Sequence, residues 1–450
     1  MMNSKLLEKY DVPTPGYESY PAVSYWGGEP PSEESWSVRV LHAFQGSPEI
    51  SVGIHLPFCK KNNGNGNCSQ VINDNPVLET TYINTLLQEW KLYTTLLPGK
   101  PVLRELFLDG APAFFSPVGL RRLVEGILAG VEVAREHEFG FKAHPASTTR
   151  EHMQVLAELG FNAICLEVQA FEPALLRALN SHHSFDAVHR VTLQARRLGY
   201  HTIHYSLLFS LPMQTKAHIW EMARNVRILL PGRITFRSYA PAPGKKLGQQ
   251  ISDAAGLPSG KEKWELYWLG RELLEKAGYV EAGLGVFALP PDSLYRAMET
   301  GSLHRNFMGY SPFYTALSIG LGASANSDSG DAYIRNQYSL EAYQEKVVNG
   351  HFPFEKGHLL TREDQILRGH ILNILCRYET IWYLPEYQCE ALFEGLERLQ
   401  PLEADGLLRR YPFQLKVTSR GRPFLRNICL ALDARYWRKQ PSGQMFSQMA

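Results

Sequence analysis

Two cysteines, Cys59 and Cys68, lie nine positions apart in the stretch HLPFCKKNNGNGNC, where asparagine and glycine occupy most of the positions between them. Cysteine thiolates are ligands for soft metals and for iron–sulfur clusters. A cysteine that follows His-Leu-Pro-Phe therefore indicates the start of a metal-cluster loop. The other cysteines are scattered along the chain and predict no disulfide framework. They are Cys165, Cys376, Cys389 and Cys429.

Titratable side chains also occur towards the ends of short apolar runs. Alternation along extended chain places His55, Lys142, His144 and Glu167 on one face of the expected strands. We expect Lys142 and Glu167 to pair within about 6 Å, because an unpaired buried charge is costly. These four residues are the catalytic candidates. His55 and His144 are interpreted either as a metal or acid–base pair, or as structural histidines at strand ends.

The same alternation extends this face to further polar or small side chains. They are Gly53, Cys165, Gln169, His204, Ser206, Ser238 and Ala240. The neighbouring pair His182-His183 falls in a loop, where we expect it to be solvated.

From about residue 50, short β-branched or apolar runs alternate with longer amphipathic patterns, which predicts βα repeats around a parallel sheet. Six such units favour a partial α/β barrel, whose site would lie at the carboxyl ends of the strands. The predicted strands are 50–57, 103–109, 138–144, 163–169, 202–212 and 233–240.

The rest of the chain divides into an N-terminal arm over 1–48 and a C-terminal cap over 296–450, on either side of a barrel region over 49–295. A Pro/Gly-rich linker covers 241–260. In the cap, two helical patterns precede a hairpin and a final helix, an order typical of a winged-helix-like fold.

Composition limits the kind of partner. The 450 residues carry a net charge of +1, with 44% hydrophobic and 20% charged residues. This balance is ordinary for a globular protein and gives no global field towards nucleic acid or an anionic membrane. No apolar run approaches the roughly 20 residues that span a bilayer, and the N-terminal stretch lacks a signal-peptide core. We expect a cytoplasmic monomer that binds a small molecule.

Several motifs together resemble one enzyme family. SYP (19–21), IHLPFC (54–59), LHRNFMGY (303–310), IGLG (319–322), RGHILN (368–373) and GRPFLRNIC (421–429) are similar to the oxygen-independent coproporphyrinogen III oxidases of the radical S-adenosylmethionine superfamily. The resemblance implies a partial (β/α)6 TIM-like radical-SAM barrel, with an N-terminal arm and a C-terminal helical, winged-helix-like domain. It also implies that the polar face described above is the barrel interior.

The resemblance implies a [4Fe–4S] cluster held by three cysteines in a C-x-x-x-C-x-x-C loop, with S-adenosylmethionine on the open iron. Aligned without gaps, this loop reads Cys59, Asn63, Gly66 and Cys68, so only the first ligand is kept. Other cofactor positions differ as well, including Lys142 and Ser206. We therefore predict that the cluster and S-adenosylmethionine are lost, and that no metal or cofactor is bound.

Three functions remain open. The first is a non-radical pseudoenzyme that binds a tetrapyrrole, such as haem or a porphyrin, or another carboxylate-bearing ligand in the barrel cleft. The second is an enzyme repurposed for non-radical chemistry in a specialised biosynthetic pathway. The third is the oxidative decarboxylation of coproporphyrinogen III.

The ligand-binding candidates are polar residues of the expected interior and of the retained motifs. They are Gln169, Ser206, Tyr239, Arg305 and Arg426. The two arginines could bind carboxylates through paired N–H donors, or they could serve only to maintain the fold.

Overall fold

The computed structural model describes Leu6 and residues 9–12, 14–59, 70–71, 76–239, 256–258 and 260–438. The strands are β1 (Glu49–Leu56), β2 (Phe58–Cys59), β3 (Gln70–Val71), β4 (Val102–Gly110), β5 (Glu132–Ala143), β6 (Ala163–Gln169), β7 (Thr202–Phe209), β8 (Arg233–Ser238), β9 (Val280–Gly283), β10 (Val286–Ala288), β11 (His304–Asn306), β12 (Gly309–Ser311), β13 (Leu317–Leu321), β14 (Asn326–Asp328), β15 (Ala332–Asn336), β16 (Phe354–Leu359), β17 (Glu379–Ile381), β18 (Leu408–Tyr411) and β19 (Gln414–Val417).

The helices are α1 (Glu33–Gly46), α2 (Pro76–Leu96), α3 (Pro117–Leu128), α4 (Arg150–Glu158), α5 (Pro173–Ala178), α6 (Phe185–Arg197), α7 (Lys216–Leu229), α8 (Gly260–Lys276), α9 (Ser293–Thr300), α10 (Leu340–Val348), α11 (Arg362–Arg377), α12 (Glu390–Arg398), α13 (Gln400–Ala404), α14 (Leu425–Leu432) and α15 (Ala434–Arg438). Among the described residues, no helix is long and apolar enough to cross a bilayer.

Six strands, β1 and β4 to β8, pair in parallel in chain order, and helices connect β4 to β8 in succession. This arrangement confirms the predicted mixed α/β fold with a parallel (β/α)6 core. The sheet continues on both sides. On the outer side of β1, β13 pairs in parallel and leads into the antiparallel strands β14 to β16, while β10 and β9 follow β8.

Local sequence signals set where the connecting helices begin. Ser116 caps α3 by accepting a hydrogen bond from the Gly119 amide, and Pro117 occupies the first helical position. Thr149 caps α4 through the His152 amide. The sequence predicts both caps, with Thr148 as the alternative to Thr149 for the second.

One face of the parallel strands is fully buried. Val52, Leu106, Phe141 and Leu166 lie on this face and are each at most 1% exposed. The opposite face, which carries Lys142 and Glu167, is only partly buried.

The C-terminal region combines α11 to α15 with the small antiparallel sheet β17-β19-β18. The N-terminal arm packs against this region and against the main sheet. The Tyr17 hydroxyl donates to Asp433, Asn427 donates to the Tyr10 carbonyl, and Tyr333 of β15 donates to the Tyr20 carbonyl. The arm thereby joins the first and last parts of the described chain.

Candidate active site at the barrel mouth

A charged group lies across the carboxyl ends of β4, β5 and β6. Lys142 Nζ is 3.5 Å from Asp109 Oδ1 and 3.5 Å from Glu167 Oε1. The predicted pairing of Lys142 with Glu167 is therefore confirmed, while the second carboxylate, Asp109, was not anticipated. Asp109 ends the strand run LRELFLD, and that position was the available sequence signal.

The pKa values of this group follow from its charges. The Glu167 carboxylate raises the pKa of Lys142 well above its ordinary value, against the lowering effect of burial. Burial raises the pKa of Asp109 and the Lys142 charge lowers it, with a net shift downward. Lys142 is thus an ammonium held by two carboxylates at neutral pH.

The inner face of β8 differs from the prediction. Ser238 was expected to point inward, but strand register aligns Arg233, Thr235 and Arg237 with the inner face of β7. Ala240 lies outside the described residues. Ile234 and Phe236 are fully buried on the opposite face, where Phe236 stacks near Tyr267. Polar and apolar residues alternate along the β8 sequence RITFR, and this alternation was the signal for its inner face.

Arg237 was not identified from the sequence. This side chain lies at the barrel mouth, which is the end of the barrel formed by the carboxyl ends of β4 to β8. It is exposed, and its charge lowers the pKa of Lys142, which places the two cations within electrostatic reach of each other. No described carboxylate forms a salt bridge with Arg237. An arginine one position before the end of β8, in phase with the polar residues Arg233 and Thr235, was the signal that could have identified it.

Deeper in the barrel, below the mouth, the side chains of His204 and Arg233 form hydrogen bonds with their neighbours. His204 shares a 2.7 Å hydrogen bond with Thr235, and burial lowers the pKa of His204 to about 3. Arg233 donates two bonds to Glu138, at 2.7 and 2.6 Å, and one to Asp292 at 2.6 Å. These bonded groups have structural roles.

Gln169 at the end of β6 and Ser206 within β7 are buried, at 8% and 4% exposure. Gln169 has a positive φ of 59°, and its buried side-chain oxygen accepts no hydrogen bond from the described residues. A non-glycine residue in this backbone region is uncommon and is often found at functional sites. Gln169 therefore presents an acceptor that a ligand could use.

His183 does not lie where it was expected. Both of its ring nitrogens are shielded from solvent, and burial lowers the pKa of His183 to about 4. Its ring packs edge-on against His144, with centroids 5.6 Å apart. The loop after α5 folds back over the strand ends, so the prediction of a solvated His183 was wrong.

The two candidate histidines have separate neighbours. His55 Nδ1 lies 2.7 Å from the Ala323 carbonyl oxygen, whereas His144 Nε2 lies 3.4 Å from Ser181 Oγ. Burial lowers the pKa of His144. In the described part of the chain, no group of three or more His, Cys, Asp or Glu residues could hold a metal ion.

Arg305 and Arg426 lie at the junction of the arm and the cap. Arg305 donates to the Tyr17 and Gly16 carbonyls at 3.2 and 3.4 Å and stacks over Tyr310. Burial and the charge of Arg305 lower the pKa of Arg426 to about 10. In this structure Arg305 therefore holds the arm in place.

Two further candidates are placed only in part. The Tyr239 amide donates to the Phe209 carbonyl at 2.8 Å, and burial raises the pKa of its hydroxyl. Cys59 ends β2, which pairs in parallel with β3. The remaining loop positions, Asn63, Gly66 and Cys68, lie outside the described residues.

The fold and the polar groups at the strand ends can now be compared with known proteins. Both agree with one class of protein. Residues 106–226 match the model of the radical SAM superfamily. The oxygen-independent coproporphyrinogen III oxidase of Pseudomonas aeruginosa is 30% identical over 444 residues, which cover 96% of this chain and 95% of that protein. The Escherichia coli protein of the same name is 29% identical over 451 residues, 99% of this chain and 97% of its own length.

The chain belongs to the oxygen-independent coproporphyrinogen III oxidase family. A solved structure agrees with this assignment. The coproporphyrinogen III oxidase from Escherichia coli, described as a radical SAM enzyme, superposes with a TM-score of 0.87 at 26% identity, covering 96% of this chain and 99% of that one.

This membership overturns the cofactor prediction. The expectation that [4Fe–4S] and S-adenosylmethionine are lost is wrong, because the matched superfamily and the solved relative are radical SAM proteins and no described residue shows the loss of either group. The prediction rested on an ungapped alignment through a loop of asparagine and glycine. Such an alignment fixes no position in space for its side chains.

Proposed function

We propose that this chain binds a coproporphyrinogen-type tetrapyrrole, or a related carboxylate-bearing ligand, in the cleft at the carboxyl ends of β4 to β8. The observation that carries this proposal is the extent of the similarity to coproporphyrinogen III oxidases, which reaches from the arm to the cap. Propionate groups of such a ligand require cations with free hydrogen-bond donors. Arg237 at the barrel mouth supplies a planar set of them.

The retained LHRNFMGY segment supports a ligand that lies between barrel and cap. It forms the hairpin β11–β12, and Met308 reaches down to the inner face of β1. The Met308 sulfur is 3.4 Å from the point where a Cβ on Gly53 would lie. This is an ordinary van der Waals distance, so the hairpin lies directly over Gly53 at the inner face of β1.

Each polar group of the mouth has a distinct proposed task. Arg237 binds a ligand carboxylate through two parallel N–H donors. The Gln169 oxygen accepts a bond from a ligand N–H, which satisfies an otherwise unpaired buried acceptor. Lys142 is already balanced by Asp109 and Glu167, so it sets the local potential more than it binds a carboxylate directly.

A second candidate function is the oxidation for which the relatives are named, favoured by the superfamily match over residues 106–226. When bound, the superfamily's cofactors would supply the radical that starts such a reaction. The residues of this chain fit S-adenosylmethionine in one respect. The carboxylates of Asp109 and Glu167 and the unsatisfied oxygen of Gln169 are acceptors for the amino group of that molecule.

The binding proposal is tested by titrating the protein with coproporphyrin III and with its tetramethyl ester, followed by absorbance and by quenching of intrinsic tryptophan fluorescence. The free acid should bind at least tenfold more tightly than the ester, because only the acid offers carboxylates to Arg237. Equal affinity for both, or no binding of either, would contradict the proposal.

The oxidation is tested separately, on protein prepared without oxygen and supplied with iron, sulfide, S-adenosylmethionine, a reductant and coproporphyrinogen III. Release of carbon dioxide and formation of a divinyl product would support the second function. Tight binding of the acid without turnover would leave binding as the function and remove the oxidation.

A further inference from the structure

A surface pocket lies over the junction of α11 and β17 in the C-terminal region. Its volume is about 380 Å³, which is within the range of small-molecule sites. One face of α11 forms the first wall, β17 forms the second, and Glu386 and Tyr387 complete the lining. None of these elements contributes to the barrel mouth, so the pocket is a separate candidate site.

The retained motif RGHILN (368–373) has two faces, and one of them builds this pocket. Gly369, His370 and Asn373 line it. Arg368 points elsewhere and bonds to the end of β14 and the loop after it. The motif therefore has one face that packs within the fold and one that faces the pocket.

His370 forms the floor of the pocket and is held on both sides. Its Nε2 lies 2.8 Å from the Tyr387 carbonyl oxygen, and its Nδ1 lies 2.7 Å from Thr380 Oγ1. Burial lowers the pKa of His370, so the ring is neutral and has a proton on only one nitrogen. Because a carbonyl only accepts, Nε2 carries that proton and Nδ1 accepts from the Thr380 hydroxyl.

These bonds determine which way the Asn373 amide points. Thr380 Oγ1, which donates its proton to His370, accepts from Asn373 Nδ2 at 3.5 Å. The side-chain oxygen of Asn373, Oδ1, is then left as an acceptor on the pocket wall, and no described residue donates to it. The floor therefore places one fixed acceptor in the pocket.

Two charged groups lie beside this acceptor. Arg377 follows Asn373 by one helical turn, so their side chains are neighbours on the pocket face of α11. Arg377 is exposed, and no described carboxylate forms a salt bridge with it. Glu379 lines the same pocket, and its Oε2 accepts from Gln414 and lies 3.3 Å from Lys416 Nζ. The other oxygen of Glu379, Oε1, accepts no hydrogen bond from a described residue.

The rest of the pocket is apolar and open. Ile366 contributes to the helix wall, and Ile381, which is 49% exposed, contributes to the strand wall. At Gly369 a Cβ would meet nothing within 4 Å, so the helix wall leaves room for a bulky apolar group.

These groups are complementary to a zwitterion with an apolar side chain. Arg377 offers paired N–H donors to a carboxylate. Asn373 Oδ1 and Glu379 Oε1 both accept from an ammonium group. An α-amino acid carries its carboxylate and its ammonium on one carbon, which suits donors and acceptors one helical turn apart.

We propose that this pocket binds a free α-amino acid with a large apolar side chain. The carboxylate of the amino acid lies on Arg377, its ammonium lies on Asn373 and Glu379, and its side chain packs against Gly369 and Ile381. The proposal does not depend on the ligand of the barrel.

Isothermal titration calorimetry of the full chain with L-tryptophan, L-phenylalanine and L-leucine tests the proposal. At least one of them should bind with a dissociation constant below about 1 mM. The analogue of the tightest binder that lacks the ammonium, and the analogue that lacks the carboxylate, should each bind at least tenfold more weakly.

Three variants locate the site. Arg377→Gln removes the paired donors and should weaken binding at least tenfold, whereas Arg224→Gln, in an exposed arginine of α7, is the matched control and should bind as the wild type does. Gly369→Phe fills the open wall and should abolish binding. Its unfolding midpoint and its affinity for coproporphyrin III should stay at the wild-type values, which controls for folding and separates this pocket from the barrel.

No binding of any of the three amino acids at tenfold above that concentration would overturn the proposal. Wild-type affinity in Arg377→Gln or in Gly369→Phe would overturn it as well. Equal affinity for the amino acid and both analogues would also contradict it, because the pocket would then not recognise a zwitterion.

Discussion

At the scale of single residues, the barrel mouth contains two cationic side chains. One forms salt bridges with carboxylates, and the other forms none with the described residues. Lys142 lies between Asp109 and Glu167, whereas Arg237 faces the same space without a described carboxylate. The first could be predicted from sequence, because opposite charges occupied matching strand positions. The second was missed, although polar and apolar residues alternate along the β8 sequence RITFR and this alternation indicates the inward face of the strand.

Replacement of Lys142 tests the balanced cation. Lys142→Met leaves two carboxylates close together, and their side chains are 53% and 18% exposed, so solvent screens part of the repulsion. We expect a loss of about 1–2 kcal/mol in the free energy of unfolding, measured in urea.

The matched control combines Lys142→Met with Glu167→Gln. Removal of one carboxylate should recover part of the loss, with a coupling of about 0.5–2 kcal/mol between the two sites. Strictly additive effects would show that the charges do not interact.

A buried carboxyl predicts how stability depends on pH. Glu89 accepts bonds from the Gly322 amide, the Tyr343 hydroxyl and Asn336, at 2.8, 2.7 and 2.6 Å. Burial nevertheless raises the pKa of Glu89 to about 7. The folded state therefore binds this proton more tightly than the unfolded chain, whose glutamate titrates near a pKa of about 4.3.

The stabilisation from Glu89 is complete below about pH 4.3 and is lost as the pH rises through 7, a difference of about 3 kcal/mol. We expect Glu89→Gln to reduce the fall in the free energy of unfolding between pH 5 and pH 8, measured by urea titration at each pH. Because other buried carboxyls also titrate, the readout is the difference in slope between variant and wild type. Identical slopes would contradict the assignment.

At the scale of elements, the sequence predicted the parallel core and the helix caps but not how the sheet continues. Strand β13 pairs on the outer side of β1, although 267 positions separate Ile50 from its partner Leu317. Pairing at such separation leaves no local signal. The IGLG motif covers much of β13, but in the sequence it indicated only the resemblance to the family.

Gly320 within that motif explains why glycine is required. A Cβ there would lie 2.2 Å from the Asn326 carbonyl oxygen, a backbone atom that cannot move without separating β13 from β14. We expect Gly320→Ala to cost about 3 kcal/mol or more in the free energy of unfolding. Thermal unfolding followed by circular dichroism measures the effect.

The matched control is Gly369→Ala in the exposed face of α11, where a Cβ meets nothing within 4 Å. Alanine favours a helix over glycine by about 0.5–1 kcal/mol, so this variant should be as stable as the wild type or slightly more stable. A Gly320→Ala protein that unfolds with the wild-type midpoint would contradict the close approach.

At the scale of the whole molecule, the N-terminal arm joins the barrel sheet to the cap. Its contacts use residues far apart in sequence, such as Arg305 with the Tyr17 carbonyl and Asn427 with the Tyr10 carbonyl. The motifs SYP and LHRNFMGY were recognised as family features. The contact of Arg305 with the arm at Gly16 and Tyr17 could not be predicted, because each motif gives only its own local sequence.

Arg305→Ala should loosen the arm without unfolding the barrel. The variant loses both bonds to the arm carbonyls and the stacking on Tyr310. We expect limited proteolysis to cut within residues 1–30 several-fold faster than in the wild type. Arg296→Ala, an exposed arginine of α9, is the matched control and should be cut at the wild-type rate, and equal rates for both variants would contradict the arm contact.

The central claim is that the barrel mouth binds a carboxylate-bearing tetrapyrrole through Arg237. The most direct measurement is the dissociation constant of coproporphyrin III for the wild type, Arg237→Ala and Arg227→Ala, the last an exposed arginine on α7. Loss of a charged, paired hydrogen bond is worth about 1.5–3 kcal/mol, so Arg237→Ala should bind at least tenfold more weakly while Arg227→Ala binds as the wild type does. Wild-type affinity in Arg237→Ala would contradict the account.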